Sequence, residues 1–367
     1  MSNMIKIQNS NKTIGGDGVF VIAEIGKNFI QTKEEKSVEE YLENAKRLID
    51  AAIESGADVV KFQTHEVEDE QLNIDITSPH FAGSDRYSWL TRNTLATPIS
   101  FWQELKKYCD KKGIIFFSTP MSRKAAQKLE QVGVPMWKVG SGDVQDYVTL
   151  NYMIRTGKPI IISSGMVSLA ELEEVVKYIT SKGSPLVVLY CISQYPAPKE
   201  YFNLSTIPEL IKKYPDVVIG FSDHSIGYDV SLAAVNLGAR VLEKHFSHSR
   251  ELWGADHKVS MTPQEFKEMV MAIRSGAYKQ VDPTLWLGTR GKEMEGAGNK
   301  FRPYFNKSLM AACDIPAGTL VTEDMVYAMR PRMYSKGLPA NELDKVLGKS
   351  ANVAIKKFDP LNLDVLV

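Results

Sequence analysis

Short apolar runs alternate with longer amphipathic segments over roughly the first 250 residues of the chain. The apolar runs have the length and composition of buried strands, and the segments between them repeat apolar residues at helical spacing. The eight apolar runs lie at residues 18–26, 57–64, 113–120, 135–142, 158–165, 185–192, 216–223 and 239–246. Helical periodicity is clear at residues 38–55, 100–112, 168–182 and 228–238. Glycine closes most of the helical segments, as is typical of helix ends.

This alternation predicts a parallel sheet, because strands that alternate with helices are joined by right-handed crossovers. Eight such units match an α/β fold of the closed (β/α)8 TIM-barrel type, which takes about 250 residues. An open, doubly wound sheet remains the alternative, since the strand pattern alone does not show closure. No G-x-G-x-x-G sequence follows the first strand, which disfavours a dinucleotide-binding sheet.

The pattern changes near residue 285 and predicts three parts. Residues 1–285 form the barrel, residues 286–305 are a glycine-rich and charged linker, and residues 306–367 form a small β-rich domain with closely spaced turns. Within the barrel, residues 65–97 and 247–261 are long loops without a clear period. Because long loops in compact domains are usually functional, we predict that they cover a site.

Charge and cysteine content narrow the classes of function. Lysine plus arginine equals aspartate plus glutamate at 44 each, so no basic excess favours nucleic acid or an anionic membrane. The three cysteines are far apart, which predicts neither a disulfide framework nor a zinc cluster. The start of the chain is polar, and no apolar run reaches the roughly 18 residues of a membrane helix. These features predict a cytoplasmic protein.

Charged and hydroxyl side chains stand at the carboxyl ends of nearly all the predicted strands, where barrel enzymes carry their catalytic groups. They are Glu24, Lys61, Gln63, Thr119, Lys138, Ser141, Ser163, Ser164, Ser193, Tyr195, Ser222, Asp223, His224, Glu243 and His245. A single serine before a helix is more often a cap, so we assign Ser122 and Ser168 to capping. Two lysines together with several hydroxyls predict a site for phosphate and carboxylate groups.

Two histidines at the ends of neighbouring strands, His224 and His245, predict a site for one divalent metal ion. Imidazole with water and carboxylate suits a cation such as Mn2+, with Mg2+ or Co2+ as alternatives. The other histidines lie in predicted loops, and we interpret them as solvated. They are His65, His80, His248 and His257.

In this arrangement the chain resembles the sialic acid synthase family. The resemblance is carried by IAEIGKN (22–28), VVKFQTH (59–65), FFSTP (116–120), WKVGSGD (137–143), IISSGM (161–166), GFSDHS (220–225) and LEKHF (242–246). The last part is similar to the antifreeze-like (SAF, β-clip) domain of the same family. There the matching segments are DIPAGTLVTEDM (314–325), MRP (329–331) and GLPANELDKVLGK (337–349).

The resemblance implies an enzyme that condenses phosphoenolpyruvate with an open-chain sugar of the N-acetylmannosamine type, breaking the C–O bond of the enol phosphate. It implies that phosphoenolpyruvate binds to Thr119, Lys138, Ser141, Ser164 and Ser222. It implies that the sugar contacts Glu24, Lys61, Gln63, Tyr195 and Asp256, with His224 and His245 as metal ligands. Glu24, Lys61 and Lys138 would act in catalysis. Arg330 would reach the N-acetyl group in the partner subunit of a domain-swapped homodimer.

Three positions depart from the family pattern: Phe29 stands where histidine is frequent, Asp143 where glutamate is usual, and Ser193 where asparagine is frequent. Phe29 would place an apolar ring near the sugar. This leads to the hypothesis that the acceptor is a 6-deoxy diacetamido sugar of the legionaminic or pseudaminic type.

Two other functions compete with this interpretation. A synthase of 3-deoxy sugar-acid phosphates would need a further site for the phosphate of its sugar, and the sequence shows no obvious extra basic cluster. A noncatalytic sugar-binding barrel would not need Glu24, Lys61, Lys138, His224 and His245, all of which are present.

Overall fold

The computed structural model describes residues 4–77, 83–288 and 299–367. His80 and residues 289–298 of the predicted linker lie outside these ranges. Within them, no helix is both long enough and apolar enough to cross a membrane.

Eight parallel strands form the central sheet, and each predicted apolar run contains one of them. They are β3 (Phe20–Gly26), β4 (Val59–Thr64), β5 (Ile115–Pro120), β6 (Trp137–Val139), β7 (Ile160–Ser163), β8 (Leu186–Cys191), β9 (Val218–Asp223) and β10 (Val241–His245). The strand order is β5-β4-β3-β10-β9-β8-β7-β6, and all pairs in this order are parallel. The end strands β5 and β6 lie against each other, so the sheet closes on itself. The predicted TIM barrel is confirmed.

Helices on the outside of the barrel connect successive strands. The helices of the chain are α1 (Val38–Glu54), α2 (Val67–Glu70), α3 (Arg86–Ala96), α4 (Ile99–Lys112), α5 (Arg123–Val132), α6 (Tyr147–Arg155), α7 (Leu169–Thr180), α8 (Thr206–Lys213), α9 (Asp229–Asn236), α10 (Pro263–Ser275) and α11 (Arg302–Phe305). Gly113 ends α4 in the left-handed conformation, at φ +74°, a backbone state that glycine adopts without strain. Ser122 and Ser168 cap α5 and α7, as predicted.

The cap of α7 provides a local test of this structure. The Ser168 side chain accepts a hydrogen bond from Glu171 N, and the Glu171 side chain accepts one from Ser168 N, which forms a capping box. We expect Ser168→Ala to lower the free energy of unfolding by about 1 kcal/mol, because it leaves the Glu171 amide without its acceptor. Urea denaturation would measure this, with Ser181→Ala at the exposed other end of α7 as control. Equal stability of the two variants would contradict the assignment of Ser168 to capping.

The predicted loop at residues 65–97 is more ordered than its sequence suggested, since it contains α2 and α3. Asp85 caps α3, its side chain accepting a hydrogen bond from Ser88 N. Helix α3 also packs against the predicted loop after β10, because Trp89 and Trp253 meet edge to face with ring centroids 5.3 Å apart. The two long loops are therefore joined to each other.

The small domain contains the antiparallel pair β11 (Ser308–Ala311) and β12 (Val326–Met329), surrounded by turns and isolated bridges. It packs on the carboxyl ends of the barrel strands. Backbone hydrogen bonds join Arg330 N to Glu70 O and Leu72 N to Arg330 O, and the Arg123 guanidinium donates to the carbonyl of Val326. A short hairpin that the sequence did not predict, β1 (Met4–Lys6) with β2 (Thr13–Gly15), precedes the barrel.

Candidate active site

A cavity of about 120 Å3 opens at the carboxyl ends of the barrel strands, beneath the small domain. It brings together every residue to which the resemblance assigns a role in binding or catalysis, except Ser164. The lining includes Glu24, Lys61, Gln63, Thr119, Lys138, Ser141, Tyr195, Ser222, His224, His245, Asp256 and Arg330. Strand ends that are distant in sequence therefore converge here, because the parallel barrel places all its carboxyl ends on one face.

Lys138 on β6 lies on the floor of the cavity. Its Nζ donates a hydrogen bond of 2.7 Å to Ser163 Oγ and lies 3.6 Å from Glu243 Oε1. Glu243 also accepts a hydrogen bond of 3.1 Å from Ser222 Oγ. Burial lowers the pKa of Lys138, whereas Lys138 and Lys61 outweigh the effect of burial on Glu243 and lower its pKa to about 2. A buried ammonium group with adjacent hydroxyls is suited to bind an oxyanion.

Lys61 on β4 forms the second cationic group. Its Nζ donates to Thr119 Oγ1 at 3.0 Å and lies 2.6 Å from Glu24 Oε2 and 3.7 Å from Glu243 Oε2. The other oxygen of Glu24 accepts a hydrogen bond of 2.8 Å from Gln63 Nε2. Burial raises the pKa of Glu24 to about 7, and Lys61 offsets only part of that shift. Glu24 can therefore take up or release a proton near neutral pH.

The two predicted metal ligands lie side by side, with the ring centroids of His224 and His245 5.4 Å apart. His224 Nδ1 donates to the carbonyl of Ile192 at 2.7 Å, which leaves its Nε2 lone pair available. His245 Nδ1 is buried without a hydrogen-bond partner in the described ranges, and burial lowers the pKa of this residue to about 4. The pKa of His224 is raised, because Cys191 and the Ile192 carbonyl outweigh the effect of burial, so a divalent ion would compete with a proton at this ring and would meet a neutral donor at His245.

Two histidines alone do not complete a coordination shell. The residues that the structure describes contain no group of three or more histidine, cysteine, aspartate or glutamate side chains arranged around a metal position. The remaining ligands would have to be water or substrate oxygens. Sites of this kind are open and catalytic in character, since a closed protein shell would leave no position for substrate.

Aromatic side chains form one wall of the cavity. Tyr195 lies over His224, with ring centroids 4.1 Å apart, and contacts Phe301 at 6.1 Å. Phe301 and Phe305 belong to the last part of the predicted linker and both line the cavity. This end of the linker is therefore part of the site.

Arg330 enters the cavity from the small domain and is buried. Its guanidinium forms an ion pair with Asp143, and its Nε lies 3.9 Å from Glu70 Oε1. Lys307 binds the same carboxylate of Asp143 at 2.8 Å and Asp146 at 2.8 Å. The sequence placed Arg330 in a partner subunit, whereas here it completes the cavity of its own chain. A domain-swapped dimer would form the same contacts between chains, so it remains a prediction.

Ser163, the last residue of β7, lines the cavity and binds Lys138, whereas Ser164 follows the strand and is not among the residues that line the cavity. Ser164 Oγ is buried without a hydrogen-bond partner in the described ranges, and its assignment to phosphoenolpyruvate stays a prediction. Ser193 lies behind the cavity wall, its Oγ 3.9 Å from Cys191 Sγ.

Phe29 does not lie where the hypothesis about a deoxy sugar placed it. It is buried in the hydrophobic core, at 1% exposure, and its ring contacts Tyr41, Phe62 and Phe101 with centroids 5.2–6.2 Å apart. It does not belong to the cavity lining. The premise that an apolar ring faces the sugar is therefore wrong.

Two of the loop histidines are buried, which corrects their interpretation as solvated residues. His65 lines the cavity and its Nδ1 lies 2.7 Å from Glu70 Oε2. His257 Nδ1 lies 2.7 Å from Ser247 Oγ in the loop after β10. His248 is exposed, as predicted.

Several cavity residues were not among the predicted site residues. The most prominent are His65, Arg86, Cys191, Phe301 and Phe305. Cys191 ends β8, so reading the last residue of that strand would have included it. Arg86 and the two phenylalanines lie in segments without a strong period, and only the folded chain brings them to the cavity.

Two family models match this chain, one in each domain. The NeuB family matches residues 48–281, and the SAF domain matches residues 306–366. These two ranges correspond to most of the barrel and to nearly all of the small domain.

Individual relatives match over nearly their full length. N-acetylneuraminate-9-phosphate synthase from Homo sapiens is 33% identical over 347 residues, covering 93% of this chain and 91% of that protein. N,N'-diacetyllegionaminic acid synthase from Campylobacter jejuni is 31% identical over 319 residues, covering 85% of this chain and 92% of that protein.

A solved structure supports the same assignment across both domains. The crystal structure of the spore coat polysaccharide biosynthesis protein SpsE from Bacillus subtilis matches with a TM-score of 0.80 and 31% identity, covering 100% of this chain and 99% of that chain. The chain therefore belongs to the NeuB family and carries a SAF domain at its carboxyl end.

Proposed function

We propose that this protein condenses phosphoenolpyruvate with an open-chain N-acetylated hexose and releases phosphate, forming a sugar acid of the sialic acid type. The observation that carries the proposal is one cavity in which Lys61 and Lys138, with serine and threonine hydroxyls, face the pair His224 and His245. The first group suits a phosphate and a carboxylate, and the second suits a metal ion that holds an aldehyde. Relatives in the family are synthases of sugar acids.

Phosphoenolpyruvate would bind at the cationic floor. Lys138 with Ser163 and Ser222 supplies one set of donors. Lys61, which the resemblance assigned to the sugar, lies next to this floor and supplies another set with Thr119. The two lysines are linked through Glu243, whose oxygens lie 3.6 Å from Lys138 Nζ and 3.7 Å from Lys61 Nζ. This arrangement fixes both ammonium groups, so they need little reorganisation when negative charge arrives or moves.

The sugar would lie along the opposite wall, formed by Glu24, Gln63, Tyr195 and Asp256. Carbon–carbon bond formation turns the aldehyde oxygen into a hydroxyl group, which requires a proton. Glu24 is the group in this wall with a pKa of about 7, so at neutral pH it can hold the proton and donate it to that oxygen. Water adds to the former enol carbon, and the C–O bond to phosphate then breaks.

A divalent metal ion would be held by His224 and His245. When bound, it would act as a Lewis acid on the sugar's aldehyde. The hydrogen bond from His224 Nδ1 to the Ile192 carbonyl fixes the ring orientation and tautomer for this role. Mn2+ is the ion that we propose, with Mg2+ or Co2+ as alternatives.

Three acceptor sugars are alternatives for this reaction, and they differ at carbon 6. Condensation adds the three carbons of phosphoenolpyruvate at the aldehyde carbon, so carbon 6 of the acceptor becomes carbon 9 of the product. A 9-phosphate product thus requires a 6-phosphorylated acceptor, whereas a legionaminic acid requires a 6-deoxy acceptor. N-acetylmannosamine itself is the plain alternative, and Phe29 no longer favours the deoxy sugars.

The test is release of inorganic phosphate from phosphoenolpyruvate in the presence of each sugar, with Mn2+ and with a chelator. We expect release that depends on both the sugar and the metal. Release without any sugar would indicate simple hydrolysis, and no release with any acceptor would overturn the proposed function. Light scattering on the same protein would test the proposed homodimer.

A further inference from the structure

The side of the cavity next to α3, called here the lid side, contains a cation that makes no ion pair with the residues that the structure describes. Lys27 follows Gly26 in the turn after β3, and this turn is fixed because Asn28 Nδ2 donates to Phe246 O and Ser260 Oγ. Lys27 lines the cavity, and its Nζ lies 5.9 Å from the centre of the Trp89 ring. Within residues 4–77, 83–288 and 299–367, no hydrogen bond or ion pair reaches this Nζ. A lysine that is largely withdrawn from water is costly unless it meets an acceptor.

A second cation lines the same side of the cavity. Arg86 is the first residue of α3 and is buried at 6% exposure. Its Nε donates to Gln71 Oε1 at 3.0 Å, and its guanidinium lies 4.4 Å from the centre of the Phe305 ring. The two terminal nitrogens make no hydrogen bond to the described part of the chain, and the nearest carboxylate oxygen, Glu70 Oε1, is 3.9 Å away. Arg86 therefore retains donors for a ligand.

Nearby carboxylates leave donors of both cations open. Glu70 is shared, since it is bound by His65 at 2.7 Å and lies 3.9 Å from both Arg86 and Arg330. Asp256 attracts Lys27, but burial outweighs this attraction and holds the pKa of Lys27 below its ordinary value, with Arg86 adding to that effect. Both cations therefore retain donors for an anionic ligand.

The position of Lys27 indicates which substrate would meet it. A Cβ atom built on the preceding Gly26 would lie 3.1–3.3 Å from side-chain atoms of Gln63, Glu24 and Asp256. These three residues form the wall that we assign to the sugar. Lys138, by contrast, belongs to the floor that we assign to phosphoenolpyruvate. Lys27 is the next residue after Gly26 and therefore lies beside the wall that we assign to the sugar. An anion bound to Lys27 would belong to the sugar.

We propose that Lys27 and Arg86 bind an anionic group on the acceptor sugar, a phosphate ester or a carboxylate carried at the end remote from the aldehyde. The inference rests on the proposed function and defines its substrate class. Charge-assisted hydrogen bonds to such a group would add to the affinity for the acceptor and would discriminate against neutral sugars. Arg86 lies on α3 above the cavity, so the same contact would hold α3 in place over the bound sugar.

The experiment compares three acceptors with the full-length protein: N-acetylmannosamine, its 6-phosphate and its 6-carboxylate (the uronic acid). We measure kcat/KM for each from phosphate release, at low and high ionic strength. At least one anionic sugar should exceed the neutral one by about tenfold or more. The advantage should shrink at high salt. The two anionic acceptors distinguish a phosphate from a carboxylate.

Substitutions at Lys27 and Arg86 test whether these two residues cause the preference for an anionic sugar. Lys27→Gln should lose most of the advantage for the anionic sugar, about 10- to 100-fold, so that its kcat/KM values for the anionic and the neutral sugar become similar. Arg86→Gln should act in the same direction. Lys36→Gln, an exposed lysine in the loop that follows, is the matched control and should behave like the wild type.

The outcomes separate this inference from the proposed function. If the neutral sugar is used as well as or better than both anionic sugars, the inference is overturned and the synthase activity stands. An equal loss on all acceptors in Lys27→Gln also overturns it. No release with any acceptor removes the proposed function and this inference with it. Should the variants misfold, the wild-type comparison and the shift in melting temperature caused by each sugar alone still decide.

Discussion

Replacement of Glu24 by glutamine is expected to lower kcat for phosphate release by about 10²–10⁴-fold, the range typical of a lost general acid or base. The amide of the variant has one acceptor oxygen where the carboxylate has two, so it keeps an acceptor for only one of Lys61 and Gln63, which lie 2.6 Å and 2.8 Å from the carboxylate oxygens. It removes the proton that we assign to the new hydroxyl group. The KM for phosphoenolpyruvate should change much less than kcat, since Lys138 and its hydroxyl neighbours remain.

The pH dependence provides an independent readout. The pKa of Glu24 in the folded chain is about 7, so its protonated form is lost as the pH rises through that value. The wild-type rate should therefore fall over this range, and the Glu24→Gln rate should lack this limb. The contribution of Glu24 to the free energy of unfolding changes with pH in the same direction. Because the pKa of Glu24 is higher in the folded chain than its unfolded value of 4.5, this contribution is fully present below pH 4.5 and is lost as the pH rises through about 7.

A matched control tests whether the effect of Glu24→Gln depends on the position of Glu24 in the cavity or only on the loss of a carboxylate. Glu130 pairs with Lys158 at 2.6 Å on the outside of the barrel, so Glu130→Gln removes a comparable ion pair away from the cavity. It should retain the wild-type rate and pH profile. If Glu24→Gln kept both as well, Glu24 would not be the group that moves the proton.

The sequence was most informative where the fold repeats a simple rule. Strands end at the same face of a parallel barrel, so reading the last residues of each apolar run found Lys61, Lys138 and the two histidines. Residues along a strand alternate between its two faces, so the register decides which hydroxyl near the end of β7 faces the cavity. Lys138 on β6 faces the cavity and is paired with Ile161 on β7. Ser163 lies two residues after Ile161 and therefore faces the cavity as well, where it binds Lys138.

Tertiary contacts account for what the sequence could not provide. Phe29 precedes α1 in a segment that could face either the core or the cavity, and its three aromatic neighbours come from separate parts of the chain. Arg86 lies in a predicted loop and reaches the cavity only because α3 folds over it. The resemblance identified the family and the small domain correctly. The ion pair of Arg330 with Asp143 could not be predicted, because it forms only when the small domain packs on the barrel.

The Arg330–Asp143 ion pair should have the largest effect on stability. Arg330→Met removes the guanidinium and leaves the buried carboxylates of Asp143 and Glu70 with fewer cations, which typically costs about 3–5 kcal/mol. We expect the low end, about 3 kcal/mol, since Lys307 still binds Asp143 at 2.8 Å. Urea denaturation measures the loss, and phosphate release should fall strongly in the same variant.

A double variant separates the structural from the functional contribution of Arg330. Asp143→Asn added to Arg330→Met removes the unpaired charge, so stability should recover in part while activity stays low, because the guanidinium that faces the cavity is still missing. Arg332→Met, at the exposed position two residues on, should change neither property. Recovery of activity together with stability in the double variant would mean that Arg330 only holds the small domain on the barrel. Recovery of stability alone would place Arg330 among the groups that act on the sugar.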